Sequence, residues 1–168
     1  NSKSDMNIVI IGAGAVGLGL ASFLHEKHQV VFITREPKRL SHGYLRRGIF
    51  GSKEVAPKSF SAVETFEKLP FAPDLILNCL KTFANHDLAV RLKRSTLDRG
   101  TPLVLCQNGA GNGDAFQRVW DPEFVLHSRI ITGFESGKQE DEILSVNVTV
   151  HADDLLFEDK ENISDKFD

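Results

Sequence analysis

Ile8-Val9-Ile10-Ile11-Gly12-Ala13-Gly14-Ala15-Val16-Gly17 is the stretch that decides the fold. A continuous apolar run of this length reads as a strand buried on both faces. It passes directly into G-x-G-x-x-G, and Leu18 to His25 continues as a helix-like segment. Each glycine has its own physical reason. Gly12 permits the tight strand-to-helix turn. Gly14 has no Cβ, so a pyrophosphate can approach the backbone. Gly17 lets the helix pack close to the strand. The free N–H groups and the positive end of the helix dipole then face the phosphates. Such a glycine spacing is a weak signal by itself. Placed after a buried strand and opening a helix, it marks a dinucleotide site.

Working outward, strand-like and helix-like segments alternate. The first strand covers about Asn7 to Ile11 and the first helix Ala15 to Lys27, followed by a strand over Gln29 to Thr34. A basic, glycine-punctuated region follows Pro37, with a short extended segment at Tyr44 to Phe50. Further strands are expected at Asp74 to Leu80, Leu103 to Cys106, Phe124 to Ile131 and Leu155 to Phe157. Phe83 to Arg94 has the amphipathic pattern of a surface helix, and Gly109 to Trp120 reads as a glycine-rich turn becoming a helix. Ile143 to Val150 alternates as an exposed strand, with Ser145, Asn147 and Thr149 on one face. Alternation of this kind implies an α/β chain of the Rossmann type: a doubly wound, mostly parallel sheet with helices on both faces. Residues 1–5 read as a tag remnant or frayed end, 6–158 as the dinucleotide-binding domain, and 159–168 as a charged linker or tail.

Composition narrows the partners. The chain has 168 residues, 41% of them hydrophobic, enough for one domain with a true core. A net charge of -3 argues against nucleic acid. Neither a signal peptide nor an apolar run long enough for a membrane span is present, and the cytoplasm is the expected compartment. Cys79 and Cys106 lie in or beside apolar runs and read as buried reduced thiols; no metal-ligand spacing exists.

The second strand ends in Phe32-Ile33-Thr34-Arg35. An acidic residue at this point holds a ribose 2′-hydroxyl, whereas a basic one accommodates a 2′-phosphate. Arg35 therefore favours NADP over NAD, with Lys38 and Arg39 adding charge; Glu36 is the competing residue, since a carboxylate there suits a ribose. Two later strands end in polar groups: Asn78-Cys79-Leu80-Lys81-Thr82 and Cys106-Gln107-Asn108-Gly109-Ala110-Gly111. Open α/β sheets bind ligands beyond the carboxyl ends of their strands. Lys81 there can donate to a carbonyl, a carboxylate or the cofactor, and the Asn108 amide can orient nicotinamide and substrate. Taken singly, a solvated lysine and a turn asparagine account for them equally well.

With Gly12 to Gly17, Cys79-Leu80-Lys81-Thr82 and Gln107-Asn108-Gly109-Ala110-Gly111 in this order, the chain resembles the N-terminal domain of ketopantoate reductase (2-dehydropantoate 2-reductase). Thr132-Gly133-Phe134-Glu135 is a weaker echo, and the resemblance runs from Met6 to Glu158. It implies NADPH-dependent reduction of a 2-oxo acid, 2-dehydropantoate, to a 2-hydroxy acid in pantothenate synthesis. It further implies that Gly12, Ala13, Gly14, Ala15, Val16 and Gly17 hold the pyrophosphate and Arg35 the 2′-phosphate. Leu80, Lys81, Asn108 and Phe134 would border the cofactor, with Lys81 and Asn108 also touching substrate. Family members are about twice this length, and their helical second domain supplies the proton-donating lysine. No catalytic residue is expected within these 168 residues, and Lys160 and Lys166 match no catalytic motif. Gly133 to Glu142 is more acidic than the family pattern, which leaves the substrate open.

The rival readings are a non-catalytic NAD(P)-binding sensor module and a fragment of another hydroxyacid dehydrogenase. A homodimer is also open, because an apolar face awaiting a second domain looks like one awaiting a second copy. His25, His28 and His86 read as surface residues and Trp120 as a core-edge residue; His127 and His151 have no evident partner.

Overall fold

The buried strands of the main sheet carry aliphatic residues in nearly every position because both of their faces are covered. The computed structural model describes residues 5–107, 113–129, 133–137, 144–150 and 156–157. The main sheet contains β1 (Asn7–Ile11), β2 (Gln29–Ile33), β5 (Ser61–Val63), β6 (Leu75–Asn78), β7 (Leu103–Leu105), β8 (Val125–Arg129) and β11 (Leu156–Phe157). Its order is β11-β8-β7-β6-β1-β2-β5, with every neighbouring pair parallel except β8 and β11. The order reverses direction between β1 and β6, which is where a doubly wound sheet opens a crevice.

Alternate residues of each strand sort into two cores. Ile8, Ile10, Leu75, Leu77 and Val104 pack with Leu18, Leu20 and Ala21 of helix α1 (Ala15–Leu24). Val9, Ile11, Ile76, Leu103 and Leu105 pack with Leu88, Ala89 and Leu92 of helix α2 (Asn85–Arg94), together with Phe116 and Trp120. The period of two thus distributes one strand's side chains between two helical layers. α2 keeps a polar outer face. Within α1 the consecutive residues Gly17 to Ser22 are all buried.

That difference reflects a second sheet that the sequence pattern did not announce. β3 (Tyr44–Gly48), β4 (Lys53–Val55), β9 (Gly133–Ser136) and β10 (Ser145–Val150) pair in the order β4-β3-β10-β9. This sheet covers the outer side of α1, and a helix covered on both sides is apolar all round. Tyr44 Oη donates to Leu18 O at 2.6 Å, and Arg46 Nη1 donates to Ser22 O at 3.2 Å while its guanidinium lies 4.0 Å over the Phe23 ring. The Phe134 ring packs directly on Gly19, where any side chain would overlap it.

Several boundaries move. α1 ends at Leu24 rather than Lys27, because residues 25–28 turn tightly, with Lys27 N and His28 N both bonded to Leu24 O. α2 begins at Asn85, preceded by a 3₁₀ turn over Thr82–Ala84. The helix expected toward Trp120 is, within the described residues, a 3₁₀ turn at Asp114–Phe116 followed by further tight turns. Phe116 and Trp120 are buried in the core, and Trp120 Nε1 donates to Thr101 O at 2.7 Å. Trp120 is indeed a core residue. Ser145 is buried at the start of β10, whereas Thr149 is exposed, so the expected polar face is only partly wet. Residues 158–168, including Lys160 and Lys166, lie outside the described residues, as does His151.

The two histidines after α1 are half-buried rather than superficial. His28 Nδ1 accepts a hydrogen bond from Met6 N at 3.0 Å, and burial pushes its pKa below 6.5. Burial, then the Lys53 and Arg46 charges, lower that of His25 as well. A base whose folded pKa lies below its unfolded value contributes stability in full above pH 6.5 and loses it as the pH falls through the folded value. The urea midpoint should be level well above pH 6.5 and decline as the pH falls below that value, before most carboxylates titrate. His28→Gln, which keeps an acceptor without a titrating group, should flatten part of that decline; an unchanged slope would refute the assignment. Tyr44→Phe removes one buried hydrogen bond to α1 and should cost about 1 kcal/mol in the same assay.

Candidate functional site

Gly12 ends β1 at a φ of 100°, a conformation that side-chain-bearing residues rarely adopt. Its N–H donates to Ile33 O at 2.9 Å, fastening the turn to the end of β2. A Cβ there would come within 2.9 Å of Leu80 Cδ2 and 3.3 Å of the Cys79 carbonyl, so the β6 end crowds the loop from the other side. A Cβ on Gly17 would collide with the Gly12 carbonyl oxygen. Gly14 is the opposite case: it is exposed, and nothing lies within 4 Å of where its Cβ would stand. Gly14 is also the N-cap of α1, which has no side-chain cap and no acidic residue in its first turn. The first-turn N–H groups of a helix lack intrahelical acceptors. They are left here beside open space, at the positive end of the helix dipole, which fits an anionic group.

The rim on the β2 side is basic. Arg35, Lys38 and Arg39 are exposed, the last two on a 3₁₀ turn over Pro37–Leu40. Arg39 Nη1 donates to the carbonyl of Ala13 in the glycine loop at 3.1 Å. Thr34 Oγ1 accepts from Glu36 N at 3.4 Å, so its hydroxyl caps the turn that follows β2.

On the other side of β1, the ends of β6 and β7 are held by three amides. Asn78, fully buried, accepts from Leu80 N at 3.1 Å and donates to Asn85 Oδ1 at 3.2 Å. Asn85 donates to Gln107 Oε1 at 3.0 Å; Gln107 Nε2 donates to Leu80 O at 2.6 Å and to Asn85 Oδ1 at 2.8 Å. Both backbone polar groups of Leu80 are therefore fixed, and with them the turn that presents the exposed Lys81. The sequence reading passed over Asn78 and Asn85. The available signal was an asparagine closing an otherwise apolar strand, since a buried amide needs partners. Asn108 to Gly111 lie outside the described residues. The Phe134 ring lies against Gly19 of α1.

Cys79 and Cys106 sit side by side at the ends of these strands as free thiols. Their mutual hydrogen bond and burial hold the Cys79 thiol well above its ordinary range, which makes it a poor nucleophile. Among the described residues no group of three His, Cys, Asp or Glu side chains could hold a metal, and no helix is long and apolar enough to cross a membrane.

Residues 8–152 match the family model described as ketopantoate reductase PanE/ApbA. The chain belongs to that family. It is 27% identical over 155 residues to the 2-dehydropantoate 2-reductase of Aquifex aeolicus, covering 92% of this chain and 47% of that protein. The crystal structure of 2-dehydropantoate 2-reductase from Geobacter metallireducens superposes with a TM-score of 0.75 at 25% identity, covering 95% of this chain and 53% of that one. D-mandelate dehydrogenase, solved with NADH and anilino(oxo)acetate, shares the fold at a TM-score of 0.67 and 20% identity, over 85% of this chain and 45% of its own. The chain thus spans about half the length of these relatives. The matched span includes the second sheet as far as β10, so the layer that buries α1 is part of the family domain.

Gly14 and Gly17 should respond oppositely to the same change. Gly17→Ala must displace the Gly12 carbonyl and should lose about 1–3 kcal/mol of stability. Gly14→Ala, entering open space at a φ of -86°, should stay within about 0.5 kcal/mol of the parent chain. Urea unfolding of both variants checks this; equal losses would mean that the loop is not held as described.

Proposed function

We propose that this chain is the NADPH-binding half of a 2-dehydropantoate 2-reductase, an oxidoreductase that reduces a 2-oxo acid to a 2-hydroxy acid. The observation that carries the reading is the uncapped start of α1 facing open space at Gly14, within a chain of this family. The bound cofactor would supply a hydride from its nicotinamide ring. The chain's own residues bind and orient. Backbone N–H groups of Ala13 to Gly17 hold the pyrophosphate. Arg35 meets the 2′-phosphate with a guanidinium fork suited to phosphate oxygens.

Leu80 lines the crevice, with its backbone anchored by the amide network. Lys81, exposed at the tip of the same turn, attracts the carboxylate of the 2-oxo acid and faces the charge that develops on its keto oxygen. Asn108 follows β7 by two residues beyond Cys106 and contacts both cofactor and substrate. The group that protonates the alkoxide comes from outside these 168 residues, in keeping with relatives of about twice this length. Reduced, unbridged Cys79 and Cys106 suit the cytosol.

The purified chain should enhance NADPH fluorescence on binding and bind NADPH more tightly than NADH. It should turn over 2-dehydropantoate with NADPH negligibly. Gly14→Ala should weaken both dinucleotides, because the new methyl takes the space left for the phosphates. Equal or tighter NADH binding would overturn the 2′-phosphate reading. Turnover comparable with an ordinary reductase would overturn the division of labour.

A further inference from the structure

We propose that Arg39 is the pre-organised half of the 2′-phosphate subsite and sets the preference for NADPH over NADH. This rests on the dinucleotide reading above and moves its decisive charge from Arg35 to a residue four positions on. The two arginines differ in how they are held. Arg35 stands exposed after β2, and its side chain makes no hydrogen bond or ion pair among the described residues. Arg39 is tied down at three points. Its backbone N–H donates to Glu36 O at 3.1 Å, its neighbour Leu40 is buried in the core, and its Nη1 donates to Ala13 O at 3.1 Å. That last bond joins the turn after β2 to the glycine loop after β1, across 26 residues of sequence.

A guanidinium has five N–H donors in a rigid fork. One is engaged by Ala13 O, and the remainder have no partner among the described residues. They are presented at the lip between the glycine loop and the end of β2, where the 2′ position of an adenosine ribose lies in this fold. Placing a phosphate against a fork that is already fixed costs less side-chain entropy than recruiting a free arginine. The negative charge is met by two cations, of which only Arg39 is positioned in advance.

The test is a set of dissociation constants for NADPH and NADH, at one ionic strength, for the parent chain, Arg39→Ala, Arg39→Lys and Arg35→Ala. Urea midpoints confirm that each variant is folded. Charged hydrogen bonds of about 1.5–3 kcal/mol predict that Arg39→Ala weakens NADPH roughly 10- to 100-fold. NADH should change less than about twofold, since it lacks the phosphate. Arg39→Lys should recover only part of the loss, because an ammonium cannot hold Ala13 O and the phosphate as a fork does. Millimolar guanidinium ion should restore NADPH affinity to Arg39→Ala without altering NADH.

Equal weakening of both dinucleotides by Arg39→Ala would overturn the proposal, because Arg39 would then only brace the loop. So would an Arg35→Ala variant that carries the entire preference. If the parent chain binds neither dinucleotide, or binds both alike, the underlying reading fails first and the proposal falls with it.

Discussion

The close approach of α1 to the end of β1 is the constraint on which the rest of the molecule depends. The Gly12 carbonyl sits where a Gly17 side chain would be, and this contact aims the first turn of the helix at the crevice. The outer face of α1 is closed as well: the four-stranded sheet of β3, β4, β9 and β10 covers it, so Gly17 to Ser22 are all buried. Tyr44 and Arg46 of that sheet donate hydrogen bonds to α1 carbonyls, which ties the covering layer to the helix.

The same economy operates on the far side of β1. Loops that emerge from parallel strands have no ladder partner, and their polar groups need other ones. Asn78, Asn85 and Gln107 provide them by joining the end of β6, the start of α2 and the end of β7 in one buried amide cluster. Lys81 is consequently displayed on a stiff turn although its own side chain is free in solvent.

Much of this was legible beforehand. The strands β1, β2, β6 and β7 were placed within a residue or two, because both-face burial demands unbroken aliphatic runs. The three short strands β4, β5 and β9 are not legible in the sequence, since three or four residues with mixed polarity carry no readable period. The segment toward Trp120 misled for another reason. Its composition allows a helix, but the described residues form a 3₁₀ turn and further tight turns, which local composition does not distinguish from a helix. The sequence ranks Arg35 first by its place at the end of β2; the bond from Arg39 to Ala13 O in the glycine loop is visible only in the tertiary structure.

By itself, the sequence determined the Rossmann-type alternation, the glycine loop, its basic neighbourhood and the family, because these depend on local runs and on spacings of a few residues. Only the tertiary structure decided which arginine is held against the loop, which amides fix the Lys81 turn, and what covers α1. The bonds of Arg39 to Ala13, Asn85 to Gln107 and Gln107 to Leu80 join residues between 22 and 27 positions apart, and β3 pairs with β10 from the opposite half of the chain. Chain proximity says nothing about such pairs. They are set by which strand ends the sheet order brings side by side.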